Sequence, residues 1–185
     1  MPNDERILET IPSGTLGLIP TSSCAELGKK VNDYLATWRE HREHEHKHDA
    51  AFKDYYKESY IITPSTPRFG TGEAKCVINQ SVRGYDLYIM VDVTNYSLTY
   101  SLCGQTNHMS PDDHFADLKR VIAAVGGKAR RITVILPFLY EAASTEEPPA
   151  SLWIAHWHFR SCSTWELIIL LPSMPMTLVL SMPFR

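Results

Sequence analysis

The sequence predicts an α/β domain of three layers, with helices on both faces of a mostly parallel sheet. Three observations carry this prediction. Short apolar runs at 16–20, 86–92 and 132–137 suit strands buried on both faces. Apolar residues at helical spacing separate them: Leu27, Val31, Tyr34, Leu35 and Trp38, then Phe115, Leu118, Val121, Ile122 and Val125. Strand and helix signals therefore alternate, with Gly and Pro between them, as a parallel sheet requires.

Taken in order, residues 1–14 carry turn and polar signals and read as an arm. The run 16–20 reads as the first strand. Thr21, Ser22 and Ser23 offer N-cap hydroxyls, and Glu26 stands three residues after Ser23, the spacing of a capping box. The helix that follows should turn its apolar residues toward the sheet. It runs on into a stretch where histidines alternate with acids and bases. His41, His44 and His48 fall at i, i+3 and i+7, so one helix face has the spacing of a metal chelate. The same stretch also reads as a solvated face of opposite charges. Residues 59–63 read as a second strand, ended by Pro64 and Pro67.

A Gly-rich loop comes next, Arg68-Phe69-Gly70-Thr71-Gly72-Glu73. Two glycines flank Thr71, so the backbone can turn tightly and stay open to a ligand. A strand at 74–79 leaves the loop, and Gly84 resets the chain before the apolar run at 86–92. A connection holds Leu98, Tyr100 and Leu102. Ser110 then reads as an N-cap, with Pro111 at N1 and Asp112 and Asp113 in the first turn. Gly126 and Gly127 stop that helix. Lys119, Arg120, Lys128, Arg130 and Arg131 form a basic cluster. It reads as a phosphate subsite, or as charge complementing a helix end.

Composition narrows the function. In 185 residues, 44% apolar and 21% charged, there is room for one domain with a real core. A net charge of −3 gives no basic field for nucleic acid. No run of about 18 apolar residues predicts a membrane span, and the polar, acidic start shows no signal-peptide pattern. Cys24, Cys76, Cys103 and Cys162 form no CxxC pair and read as reduced thiols of a cytoplasmic protein. After Ala142 the texture changes. Prolines multiply, Trp153, Trp157 and Trp165 crowd together, and no period of 3.6 or 2 persists. The chain thus divides into an arm (1–14), an α/β domain (15–142) and a tail (143–185).

The order Phe69-x-x-Gly72-Glu73, a short strand, Ile78-Asn79-x-Ser81-Val82-Arg83-Gly84 and an apolar strand resembles ribose-phosphate pyrophosphokinase. The runs Tyr96-Ser97-Leu98-Thr99-Tyr100 and Asn107-His108-Met109-Ser110-Pro111-Asp112-Asp113-His114 resemble a bacterial subgroup of that family. The resemblance extends from about Gly17 to Ala142. It implies a phosphoribosyltransferase-like fold and transfer of pyrophosphate from Mg·ATP to ribose 5-phosphate, a step of nucleotide biosynthesis. It implies that Phe69, Thr71 and Glu73 belong to a loop that receives the adenine of ATP at a neighbouring subunit's active site. Thr71 departs from the Asp or Asn usual there. Ser81 and Arg83 match a region that binds regulatory phosphate.

The family continues with an Arg-Gln segment, a helix and a strand ending in Phe-Asp-Ala-His. Here Ala143-Ser144 and Ser173-Met174-Pro175-Met176 stand instead. A reading frame shifted by one nucleotide restores those family words. The junctions Trp153-Ile154, His156-Trp157, Met174-Pro175 and Met176-Thr177 fix Asp, Leu, Ala and Asp without codon choice, and each is the family residue. The tail is therefore expected to be a frameshifted reading, leaving the sheet incomplete and its apolar surface at Ile89 and Ile135 partly open. On this expectation the chain holds no catalytic or metal-ligating residue, binds neither ATP nor Mg tightly and is inactive alone. Its partners would be copies of itself or a full-length synthetase. The alternatives are a non-catalytic subunit associated with a full-length synthetase, and a His-rich metal-binding protein.

Overall fold

The computed structural model describes residues 14–41 and 54–138, and the backbone of 164–170 and 177–183. The arm up to residue 13, His44 and His48, Ala143-Ser144, and Trp153, Trp157 and Cys162 lie outside the described residues. In chain order the elements are β1 (Thr15–Pro20), α1 (Ala25–His41), β2 (Pro64–Ser65), β3 (Val77–Ile78), β4 (Tyr85–Met90), β5 (Thr99–Leu102), β6 (Gln105–His108), α2 (Pro111–Val125), β7 (Arg131–Leu136), β8 (Thr164–Leu170) and β9 (Thr177–Pro183).

The main sheet has the order β1-β4-β7-β8-β9. The first three pairings are parallel and the last is antiparallel. Beyond β1, Leu18 N–H donates to Tyr60 O and Ile62 N–H to Leu18 O (2.8 and 2.7 Å), so the segment around Ile61 lies parallel along its free edge. The chain thus leaves β1 to one side and returns to its other side as β4. This reversal is where open α/β sheets place their ligand crevice, at the carboxyl ends of the strands.

Side chains alternate between the two faces of a strand. Ile19, Leu87, Ile89, Val91, Ile132, Val134 and Leu136 share one face, in a buried cluster with Phe115, Leu118, Val121, Ile122 and Val125 of α2. The helix that supplies this layer is well signalled locally. Ser110 Oγ accepts from Asp113 N–H and the Asp113 carboxylate accepts from Ser110 N–H, a complete capping box. Gly126 ends the helix in the left-handed conformation (φ 58°), and its N–H donates to Ile122 O.

On the opposite face α1 meets β1 differently from expectation. Gly28 and Asn32 are its buried residues, whereas Leu27, Tyr34 (70% exposed) and Trp38 are exposed. The reason is a close approach: a Cβ at Gly28 would stand 2.4 Å from Pro20 Cβ. Asn32 fixes the rotation by accepting from Tyr60 N–H at 2.8 Å. The capping box expected at Ser23 and Glu26 does not form. Ser23 lies in a short 3-10 turn (Ser22–Cys24), and its hydroxyl accepts from Asp92 N–H at 3.0 Å.

One further correction concerns the sheet. Ile89, expected to be partly open, is fully buried (0% exposed), because it lies on the face that α2 covers; Ile135, on the other face, is half-buried. The sheet also continues past β7 into the tail: Ile132 pairs with Trp165 and Leu136 with Ile169 in parallel register, and β9 then returns along β8.

Candidate functional site

The loop at 68–73 is a tight hairpin tip. Arg68 and Ala74 form an antiparallel bridge, Phe69 N–H donates to Glu73 O at 2.7 Å, and Gly72 N–H donates to Phe69 O at 2.9 Å. Gly72 takes φ 89°, a region open to glycine and strained for other residues. The turn therefore depends on the glycine that the sequence supplies. It lifts Phe69 outward, 46% exposed, with Lys75 Nζ 5.9 Å from the ring centroid. Thr71 and Glu73 are exposed on the same tip, and the Thr71 hydroxyl lies 3.5 Å from Glu73 Oε2. The structure thus brings Phe69, Thr71 and Glu73 together.

The tip is anchored from below. Arg68 forms ion pairs with Asp113 (3.3 Å) and Asp117 (3.5 Å) of α2, and its guanidinium lies 4.5 Å from the Tyr100 ring centroid of β5. Burial pushes the Asp113 carboxyl up. The N–H and hydroxyl of Ser110, with the charges of Arg68 and His114, outweigh that effect and hold it below the usual carboxylate range. Sequence reasoning named Arg68 and Tyr100 but missed their anchoring role, and it missed the β5–β6 hairpin. That hairpin turns at Cys103 and Gly104, both at positive φ (51° and 79°).

Beside the anchor, at the carboxyl ends of β1 and β4, lies a crevice of about 10 Å³ lined by Thr21, Ser22, Ser23, Pro64, Thr66, Met109, His114 and Asp117. His114 is buried and its Nε2 donates to Asn95 O at 2.8 Å. Asn95 Nδ2 donates to Ser23 O at 3.0 Å. Cys24 borders this region. Burial and the Asp92 charge push its thiol up to about 12, against a lowering hydrogen bond at Asp92. Cys24 should therefore resist alkylation at pH 8, while the exposed Cys103 reacts. Peptide mapping after iodoacetamide treatment checks this; rapid labelling of Cys24 in the folded protein contradicts it.

Ser81 and Arg83 stand apart from the Phe69 loop. They are exposed in the turn before β4, where Gly84 N–H donates to Lys128 O at 3.0 Å. The basic cluster is dispersed. Arg120 pairs with Asp117, and Arg131 pairs with Asp86 and donates to the Tyr88 hydroxyl. Lys119 lies over the Phe115 ring. Among the described residues no three His, Cys, Asp or Glu side chains are grouped to hold a metal ion, and no helix is long and apolar enough to cross a membrane.

No curated protein sequence matches the chain. Among solved structures, phosphoribosylpyrophosphate synthetase from Mycobacterium smegmatis matches with a TM-score of 0.53 at 19% identity. The match covers 82% of this chain and 41% of that one, so the chain spans about two fifths of that protein and shares its fold. The family model for the N-terminal domain of ribose phosphate pyrophosphokinase matches residues 16–151. That span contains the reversal at β1, the exposed Phe69 tip and the α2 layer, and with them the chain belongs to the ribose phosphate pyrophosphokinase family, as its N-terminal domain.

Proposed function

We propose that this domain serves pyrophosphoryl transfer from Mg·ATP to ribose 5-phosphate, and that its own part is to receive the adenine on the Phe69 tip. The observation that carries the reading is an exposed aromatic ring on a hydrogen-bonded turn. An adenine stacks on such a ring for roughly 1–3 kcal/mol. The neighbouring carboxylate of Glu73 only accepts hydrogen bonds, which suits the exocyclic amine of adenine and disfavours the O6 of guanine. Thr71 can donate or accept, and so can serve the adjacent ring nitrogen.

Binding here is remote from the reacting phosphorus. Its use is to hold the triphosphate in line for attack by the sugar hydroxyl, so that part of the entropic barrier is met on binding. Magnesium enters with the nucleotide as part of the substrate, and no step is assigned to it through the described residues. The chain's contribution is thus binding and orientation. Residues 143–185 belong to this reading as a shifted frame, supported by the four codon junctions above. The nucleotide sequence of the gene tests that part.

Phe69→Ala should weaken ATP binding about tenfold, the loss of roughly 1.4 kcal/mol of stacking, with an unchanged melting temperature. Titration followed by NMR of the adenine protons measures it. An ATP affinity indifferent to Phe69 overturns the assignment.

A further inference from the structure

A loop with glycines at 70 and 72 has many conformations open to it. One guanidinium reaches the Phe69 tip from below. The Arg68 side chain is 11% exposed. Its Nη1 donates to Gly72 O, inside the turn, at 3.4 Å and to Asp113 Oδ1 at 3.3 Å. Its Nη2 donates to Asp117 Oδ2 at 3.5 Å. The planar group lies 4.5 Å from the Tyr100 ring centroid. One side chain therefore touches the tip, the first two turns of α2 and the β5 strand.

Each partner is itself fixed. Asp113 Oδ2 accepts from Ser110 in the capping box, leaving Oδ1 for Arg68. Asp117 Oδ1 accepts from Arg120 at 2.6 Å, leaving Oδ2. Two carboxylates thus face two guanidinium groups. The β5–β6 hairpin meets the tip a second time. A Cβ at Gly72 would lie 3.5 Å from Leu102 Cδ1, and Cys103 Sγ lies 4.0 Å from Gly70 O. A lysine could not reproduce the arrangement, because an ammonium has neither the fork that spans two acids nor the plane that stacks.

We propose that Arg68, stacked on Tyr100, is the positioning residue of the adenine tip, and that the β5–β6 hairpin is a working part of the nucleotide site. This rests on the adenine reading of Phe69. A ligand whose competent conformation is only fractionally populated binds more weakly by that fraction. Releasing the brace lets the tip wander and lowers affinity for any ligand read through adenine. It leaves the chemistry of the tip itself untouched.

The test is titration of ATP and of adenosine into the whole chain, alongside amide exchange at Phe69 and Gly72. Arg68→Lys is expected to weaken both ligands about tenfold and by the same factor, since adenosine carries no phosphate. Faster exchange at Phe69 and Gly72, with β4 amides unchanged, should accompany it. Tyr100→Phe keeps the stacking ring and should retain wild-type affinity, whereas Tyr100→Leu should lose about threefold or more. Wild-type affinity in Arg68→Lys, or a loss confined to ATP, overturns the proposal. If Arg68→Lys fails to fold, the Tyr100 pair decides it: equal affinities of the Phe and Leu variants overturn it. Phe69→Ala separates the two readings. A silent Phe69→Ala removes the adenine assignment, whereas a weakened Phe69→Ala beside an unaffected Arg68→Lys removes only the brace.

Discussion

Ile89→Ala is expected to lower the unfolding free energy by about 2–5 kcal/mol, toward the upper end of that range. Ile89 is fully buried in an inner strand of the parallel set, in register with Ile19 on one side and Val134 on the other. Leu118 and Val121 of α2 belong to the same cluster and are at most 1% exposed. Truncation therefore opens a cavity whose walls are held by three strands and a helix, and little can move to fill it. Urea unfolding should show a lower midpoint with an unchanged slope. A loss below about 1 kcal/mol, outside the range for such truncations, would mean that this face is loosely packed.

Arg131→Met is the second large effect, for a different reason. Asp86 is 10% exposed at its side chain. It accepts from Arg131 Nε at 2.8 Å and from Nη2 at 2.5 Å, a two-point pairing across β4 and β7. Removing the guanidinium leaves a carboxylate with poor access to water and its strongest partner gone, a change that costs about 3 kcal/mol. The double variant Asp86→Leu with Arg131→Met removes both charges and should be more stable than Arg131→Met alone. A double-mutant cycle on unfolding free energies measures the coupling. Additive losses would show that the pair contributes nothing specific.

The central strands and α2 were legible because their signals are local. Runs at 87–91 and 134–136 are apolar throughout, as burial on both faces demands. Ser110, Pro111, Asp113 and Gly126 mark both ends of α2. The buried face of α1 was not legible. Its apolar residues pointed one way, but the contact of Gly28 with Pro20 and the bond from Tyr60 N–H to Asn32 turned the helix another. Neither contact leaves a trace in periodicity. The β5–β6 hairpin was hidden because Cys103 is not a turn former, although it and Gly104 both take the positive φ of a two-residue hairpin turn.

The candidate site divides the same way. Phe69, Thr71 and Glu73 could be read from adjacent glycines and from the resemblance. Arg68 could not, because Asp113 and Asp117 lie on an element far along the chain and Tyr100 on a strand that the sequence did not announce. The two strands of the tail were not legible. Prolines at 172, 175 and 183 obscured two strands that the backbone pairs with β7 and with each other.

The parallel pairing of β1 with β4 and of β4 with β7 has a consequence for how the chain is made. Thr15 waits for Tyr85, and Asp86 for Arg131, before either backbone finds its partner. During synthesis β1 and β4 therefore emerge as an unfinished pair, with the apolar face at Leu87 and Ile89 uncovered until α2 has left the ribosome. Long closures of this kind slow folding and lengthen the time that apolar strands stay open to other chains. Yield in a cell should thus depend on how quickly residues 111–136 follow, and a translational pause placed before them should send more of the product into aggregates than a pause placed after.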